Sequence, residues 1–370
     1  MRPVPVGFRL VPDRHARRAQ DGTVLWGGTP WRLLRLTAAG AVIANDLLAG
    51  EPVIDRRTGL LARRLVDAGL AHPLPPAGVP TPALQVVVPA YDRLADLDRC
   101  LTALAGLEVV IVDDASRDSA GVADLACRHG ARLLLRAHNG GPAAARNTGL
   151  AATTADALAF VDSDCVVSAD ALRALARHLA DPTVAAAAPR VTDALLDLGA
   201  HPANVRPGAH VAYVPTTALV ARRSALLDGF DESLRYGEDV DLVWRLIESG
   251  WSVRYDPSLV AEHVNIGRSP LMRRFDYGSS VGPLARRHPR ALRGPALAGM
   301  VAPMRIGTLA RGGLPPAVAV RVAATAPLRT AAALASWALP LSPDDVAYSA
   351  GVWRGCVRAR TFGPLLPRWR

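Results

Sequence analysis

Hydrophobic and polar positions alternate with two different periods along the chain. Between residues 37 and 69 apolar residues recur at helical spacing: Thr37 can cap a helix through Leu48, and Asp55 can cap a second through Ala68. In the second helix Leu61, Leu65 and Ala68 share one face, Arg63 and Arg64 are expected outside, and Gly69 ends it. With the apolar segment Leu70-Ala71-His72 behind them, these helices predict a small winged-helix-like module over residues 1–72. Residues 73–82 hold five prolines in ten positions, a stiff spacer and a natural boundary.

Beyond the spacer the pattern changes to short apolar runs. Residues 84–89, 109–113, 132–135 and 157–162 read as buried strands, with helices near 94–105, 119–129 and 141–152 between them and a strand-like segment at 251–255. Strands alternating with helices predict an α/β class with a mostly parallel sheet over residues 83–264. After His263 the chain is rich in Ala, Arg and Pro, which predicts a helical C-terminal extension over 265–370, with helices around 269–288, 295–311, 317–336 and 343–358.

Composition narrows the chemistry. Half of the 370 residues are hydrophobic and 21% are charged, the balance of a globular protein. All 43 basic residues are arginine, so a lysine-dependent phosphate loop and a Schiff-base enzyme are excluded. The four cysteines are far apart without a C-x-x-C, which argues against a zinc knuckle or a disulfide framework and suits a reducing cytoplasm. The N-terminus lacks an uninterrupted apolar core of a secretory signal, and no apolar run reaches the roughly 18 residues of a spanning helix. No G-x-G-x-x-G follows the first strand, which removes the main support for a dinucleotide site.

The net charge of +10 is unevenly placed. Residues 83–264 carry 16 Arg against 24 acids, whereas residues 265–370 carry 16 Arg against three. An acidic centre argues against a nucleic-acid-binding core. The basic tail suits either a solvated, arginine-rich face, the plainer reading, or peripheral contact with an anionic membrane at the inner face of the cell.

Three acidic clusters fall where such a sheet would gather them. Asp113 and Asp114 end the second strand, Asp162-Ser163-Asp164 ends the fourth, and Glu238, Asp239 and Asp241 open a later helix. Open α/β sheets bind ligands at the carboxyl ends of their strands, so the two strand-end clusters are expected at one crevice. A D-x-D there can present carboxylate oxygens to Mg²⁺ or Mn²⁺. The helix opening at Gly140-Gly141-Pro142 directs free amides toward an anion, and Arg146 within it has the planar fork that matches phosphate or carboxylate. Each feature also has an ordinary reading: acids solvating a turn, a surface guanidinium, acids at a helix start, and an i,i+4 pair between Asp241 and Arg245.

Taken together, LQVVVPAYDR, VVIVDDAS, NGGPAAARNTGL, FVDSDC and YGEDVDLVWRL stand in the order found in family 2 glycosyltransferases of the GT-A fold. The resemblance covers about residues 83–264. It implies an inverting enzyme that takes a nucleotide-diphosphate sugar with Mg²⁺ or Mn²⁺. On that resemblance Pro89, Ala90, Tyr91 and Asp92 form the nucleotide-contacting first loop, and Asp114 reads the base with Asp113 beside it. Arg146 lies near the donor phosphates or Asp162, Ser163 belongs to the donor site, and Asp162, Asp164 and His263 hold the metal. Asp239 is the general base.

Residues 1–72 resemble PqqD-like peptide-recognition domains. A narrower likeness, carried by GGTPWRLLRLTAAG, VAAAAPRV and HVAYVPTTALVARRSALLDGFDE, is to the mycofactocin-system branch of the family. That branch implies a peptide-derived redox cofactor precursor as acceptor and β-1,4-glucosylation from UDP-glucose. Two other readings stay open: a cell-envelope glycosyltransferase acting on a lipid-linked or polysaccharide acceptor, and a non-catalytic peptide-binding adaptor whose affinity resides in residues 1–72.

Overall fold

A computed structural model describes residues 1–19, 21–28, 31–193, 195–263, 269–292 and 343–365. The chain forms two compact units, residues 1–230 with 242–264, and residues 231–241 with 265–370. The Pro-rich stretch 73–82 is therefore internal to the first unit. The second unit includes an eleven-residue segment drawn from within the 83–264 region.

The first unit begins with β1 (Arg9–Pro12), β2 (Arg17–Arg18), β3 (Val24–Gly27), β4 (Arg32–Arg35), α1 (Ala38–Leu48), α2 (Arg56–Asp67) and β5 (Ala71–Leu74). The caps are those the sequence predicts. The Thr37 hydroxyl accepts from the Gly40 amide, and Asp55 and Thr58 form a reciprocal capping box. β1 pairs antiparallel with β5, β2, β3 and β4 form a separate three-stranded sheet, and Phe8, Leu25, Leu47, Leu65 and Leu70 fill the core between them. Arg63 departs from expectation: it is buried, its Nη2 donating to Asp181 at 2.6 Å and its Nε to the Arg2 carbonyl at 3.0 Å. A charged side chain enters the interior here because a carboxylate from the neighbouring sheet receives it.

That sheet contains β6 (Leu84–Ala90), β7 (Glu108–Asp113), β8 (Arg132–Leu135), β9 (Ala157–Val161), β10 (Cys165–Val166), β11 (Val184–Thr192), β12 (Ala203–Asn204), β13 (Ala218–Arg222) and β14 (Ser252–His263). Its order is β10-β14-β11-β13-β9-β6-β7-β8, with β12 also on β14. β8, β7, β6 and β9 run parallel, and so do β11 and β14, while β13 lies antiparallel between the two parallel sets. The connecting helices are α3 (Leu94–Ala103), α4 (Ser119–Arg128), α5 (Gly141–Ala152) and α6 (Ala169–Ala176). Gly149 lets α5 lie close to β6, since a Cβ at that position would meet the Val87 methyls.

β11 was hidden in the sequence. Its VAAAAPRVT reads as helix by propensity, yet Val184–Ala188 are wholly buried between β13 and β14, and paired burial outweighs the small per-residue preference of alanine for helix.

α7 (Glu238–Glu248) starts in the second unit, which otherwise comprises α8 (Pro270–Ser279), α9 (Val281–Arg287) and α10 (Pro343–Arg358) among its described residues. The helices expected at 295–311 and 317–336 lie outside the described residues. Gly278 and Gly282 face Gly351 and Gly355 of α10 at helical i,i+4 spacing. A Cβ on any of the four would strike backbone of the opposing helix: Tyr348, Gly355, Phe275 or Ser279. Gly351→Leu is therefore expected to cost about 1–3 kcal/mol through overpacking. Thermal unfolding of the variant against the parent checks this, and an unchanged profile would mean the helices separate at little cost.

Among the described residues no helix is long and apolar enough to cross a membrane. All four cysteines are free thiols.

Candidate active site

The site is built at the carboxyl ends of β6, β7 and β9. Ala90 is buried at the end of β6, opposite Asp113, and its carbonyl accepts from the Asp114 amide at 2.8 Å. Tyr91 follows, 44% exposed, and then Asp92 and Arg93, both in the left-handed region with φ of 56° and 58°. Ala115 in the next strand-end loop has φ 62°. Non-glycine residues held there are strained, and such strain collects where geometry matters more than comfort. The two loops are tied together: Asp92 donates its amide to Ser116 Oγ at 2.8 Å, and Asp92 Oδ1 accepts the Arg117 amide at 2.8 Å.

Asp113 is completely buried. Its Oδ1 accepts the Ser116 amide at 3.0 Å, while its Oδ2 has no partner among the described residues. Such an acceptor calls for a donor from outside the protein or a water. Asp114 takes the Gly140 and Gly141 amides at 3.0 and 2.7 Å, with Arg136 Nε 2.9 Å away. The amides at the start of α5 were expected to meet an anion; the anion here is the protein's own Asp114.

β9 ends at Val161 and the chain turns immediately, with the Cys165 amide donating to the Asp162 carbonyl at 2.9 Å. Asp162, Ser163 and Asp164 are half-buried on this turn. Arg146, buried on α5, donates from Nη2 to Asp162 Oδ1 at 2.6 Å. Arg93 Nη1 donates to Asp164 Oδ2 at 2.9 Å, and Asp164 Oδ1 lies 3.4 Å from His263 Nε2. His263 ends β14, directly opposite Cys165 of β10, and its Nδ1 meets Asp193 Oδ2 at 3.0 Å. The structure thus brings Asp162, Asp164, Arg146 and His263 into one network, although 117 positions of sequence separate Arg146 from His263.

Charge in this network is matched. Burial raises the Asp164 carboxyl, but its hydrogen bond to His263 and the charges of His263 and Arg93 outweigh this and hold its pKa below the usual value. Burial likewise disfavours the His263 cation, and Asp164 and Asp193 more than compensate, so its pKa stands above the ordinary one. Two carboxylates on one tight turn offer the hard oxygen donors that Mg²⁺ and Mn²⁺ prefer. The donor chemistry fits such a cation. Among the described residues no three metal-capable side chains are already arranged to hold an ion, and Asp162 and Asp164 are engaged by Arg146 and Arg93.

Asp239 belongs to the second unit, in the first turn of α7, where its Oδ1 accepts the Val240 amide at 2.7 Å. The segment carrying it is fastened within that unit. Arg287 donates to Asp231 at 2.9 and 2.6 Å and to Ser233 at 2.8 Å, and His288 Nε2 lies 2.9 Å from Asp241 Oδ1, both groups buried. Gly237, with φ +84°, leaves no room for a Cβ against Ser280 and Leu284. Of the pair given an ordinary helical role, Asp241 meets His288, and Arg245 donates to the Gly229 carbonyl at 2.7 Å.

Four supporting residues escaped the sequence reading. Arg93 and Asp193 complete the D-x-D network. Asn147 clamps Phe230 by a two-way amide contact, at 2.9 Å to its carbonyl and 2.8 Å from its amide. Phe230 in turn places its ring 5.3 Å from the Arg146 guanidinium and edge-on to Phe160. Arg93, Asn147 and Phe230 lie inside the motifs quoted above, and Asp193 is an acid just beyond an apolar run. Phe230→Leu removes a cation–π contact worth about 1–2 kcal/mol in this buried setting, so a several-fold to about thirtyfold loss of turnover is expected. Steady-state rates beside the circular dichroism of the folded variant check this.

The sequence profile described as Glycosyl transferase family 2 matches residues 85–207. The protein named Pre-mycofactocin glycosyltransferase, in two strains of Mycobacterium tuberculosis, is 43% identical over 306 residues, covering 77% of this chain and 65% of its own length. The chain thus spans just under two thirds of those relatives. An N-acetylglucosaminyltransferase of Bradyrhizobium elkanii is 31% identical over 166 residues, 42% of this chain and 90% of that protein. Among solved structures, the mannosyltransferase PcManGT from Pyrobaculum calidifontis, in complex with GDP-Man and Mn²⁺, superposes with a TM-score of 0.56 at 21% identity. That match covers 78% of this chain and 89% of the other, and it is a likeness of fold.

Proposed function

From the premise that the chain belongs to glycosyl transferase family 2, we propose that it is an inverting hexosyltransferase. The donor in this reading is a nucleotide-diphosphate sugar, UDP-glucose first among candidates, and the acceptor is the peptide-derived precursor of a redox cofactor, as in mycofactocin biosynthesis. The observation that carries the reading is the Asp162–Asp164 turn at the end of β9, held by buried Arg146 and by His263. The acceptor class draws support from the 43% identity to Pre-mycofactocin glycosyltransferase.

The roles follow from the chemistry of the side chains. Pro89, Ala90, Tyr91 and Asp92 form the wall for the nucleotide, with Asp114 as the acceptor for donor groups on its base and Asp113 beside it. Mg²⁺ or Mn²⁺ held by Asp162 and Asp164, with His263 beside them, would neutralise charge on the departing diphosphate, a contribution of several kcal/mol. Arg146 fixes Asp162 and stands ready for a phosphate oxygen. Asp239 takes the proton from the acceptor hydroxyl. The hydroxyl oxygen then bonds to the anomeric carbon as the bond from that carbon to the diphosphate oxygen breaks, and the nucleoside diphosphate leaves. Attack opposite the leaving group turns an α-linked donor into a β-linked product.

Mass spectrometry of the full chain incubated with Mn²⁺, a panel of nucleotide sugars and an extract of its own organism tests the reading. The expected result is a hexose increment on a peptide-derived small molecule, greatest with UDP-glucose. Failure to turn over any donor would favour the non-catalytic adaptor, and an increment confined to lipid-linked material would favour the envelope enzyme.

A further inference from the structure

Asp193 meets His263 at the ring nitrogen opposite the one that faces Asp164. Strand register puts it there. In the parallel pairing of β11 with β14, Val191 stands beside Ala261 and Thr192 beside Glu262, so the next residue of each strand, Asp193 and His263, come together. The carboxylate is fixed by its own turn. Its Oδ1 accepts the Leu195 amide at 2.7 Å, and its backbone carbonyl accepts the Leu196 and Asp197 amides at 3.1 and 2.9 Å, while Oδ2 is directed at His263 Nδ1, 3.0 Å away. Side-chain exposure rises from 2% at Asp193 through 10% at His263 to 21% at Asp164, so the series leads from the interior out to the D-x-D turn.

Two carboxylates thus compete for the protons of one imidazole. Nδ1 has the nearer partner, at 3.0 Å against 3.4 Å, and the more deeply buried one, where a charged hydrogen bond is stronger. Asp164 also divides its charge with Arg93 at 2.9 Å. An ionised carboxylate can only accept, so the Nδ1 proton is present whether the ring is a cation or neutral. Nε2 is the nitrogen that can stand without a proton, and an imidazole binds a metal ion only through such a nitrogen.

We propose that Asp193 is a positioning residue for the metal site: by holding the Nδ1 proton and the plane of the ring, it makes Nε2 of His263 the nitrogen offered to a cation on the Asp162–Asp164 turn. A carboxylate on the second ring nitrogen fixes the tautomer of a ligating histidine and raises its basicity. The inference rests on the assignment of Mg²⁺ or Mn²⁺ to that turn and extends it to a residue that touches neither metal nor substrate.

Asp193→Asn separates this role from a packing role. The amide has one oxygen where the carboxylate has two, yet both the Leu195 N–H and the His263 Nδ1–H need an acceptor. With the oxygen kept by Leu195, the amide NH₂ faces the ring as a donor, which requires a bare Nδ1 and sends the proton of the neutral ring to Nε2.

Long-range ¹H–¹⁵N NMR of the full chain with labelled histidines, recorded where the ring is neutral and with the signal identified through His263→Ala, reads the tautomer. The parent should carry the proton on Nδ1, and Asp193→Asn should carry it on Nε2. A parent ring protonated on Nε2 overturns the proposal without recourse to any variant of Asp193. Electron paramagnetic resonance of free Mn²⁺ in the presence of UDP reads the consequence: Asp193→Asn should bind Mn²⁺ about tenfold to a hundredfold more weakly, with its circular dichroism unchanged. On a His263→Ala background the same substitution should weaken binding no further, because the effects of residues that act through one another do not add. Equal losses on the two backgrounds would show that Asp193 does not act through His263, and parent-like Mn²⁺ binding by Asp193→Asn would show that it does not act at all; either overturns the proposal while leaving the cation in place. A parent that binds no Mn²⁺ with UDP present would instead remove the cation assignment, and the role of Asp193 with it.

Discussion

Asp239→Asn is expected to retain donor binding and to lose glycosyl transfer by about 10²- to 10⁴-fold, the usual contribution of a positioned general base. Asparagine keeps the shape of the side chain and its capacity to accept the Val240 amide, so the first turn of α7 should survive. What vanishes is the basic oxygen. Asp239 is held on a segment fastened by Arg287 to Asp231 and Ser233 and by His288 to Asp241, which restricts the carboxylate to a narrow range of positions. Asparagine at 239 therefore tests proton transfer in isolation from placement. Calorimetric titration with the nucleotide sugar and Mn²⁺, run beside transfer assays, separates the two effects. Near-parental transfer by Asp239→Asn would place the base elsewhere, and loss of donor affinity would make Asp239 part of the donor site.

The strand ends of this protein were legible because the pattern that buries a strand also says where it stops. Val109–Val112 must be buried, so Asp113 and Asp114 must stand at the end of β7, and Ala157–Val161 fixes Asp162 and Asp164 in the same way. Caps were legible for a similar reason, since Thr37 and Asp55 act within three residues of themselves. Contacts that depend on tertiary pairing were not. Arg63 sits on the polar side of a helical pattern and is buried only because Asp181, 118 residues later, meets it. β11 looks helical until β13 and β14 enclose it. Residues 231–241 read as the continuation of the sheet-forming region, but packing against α9 assigns them to the second unit, a fact held in Gly237, Arg287 and His288 rather than in any local period.

Asp164→Ala should abolish the part of donor affinity that depends on Mn²⁺ and reduce turnover to near background. In this structure Asp164 answers Arg93 and His263, and Asp162 answers Arg146, so each carboxylate is held by a cationic or hydrogen-bonding partner before any ligand arrives. Asp162 and Asp164 are the residues that would hold a divalent cation, and with their oxygens so engaged the Arg93 and Arg146 guanidiniums would be available to phosphate, another anion their fork matches. Alanine at 164 removes one of two hard donors and leaves Arg93 to its other partner Asp96, so the fold should tolerate the change. The comparison that decides is donor affinity with Mn²⁺ and with chelator: the parent should show a large gap between the two, and Asp164→Ala should close it from the Mn²⁺ side. A gap that survives intact would remove Asp164 from the metal's ligands and leave Asp162 with a different second donor. If chelator has no effect on the parent, the two carboxylates serve Arg93 and Arg146 alone, and charge on the leaving diphosphate must be met by arginine.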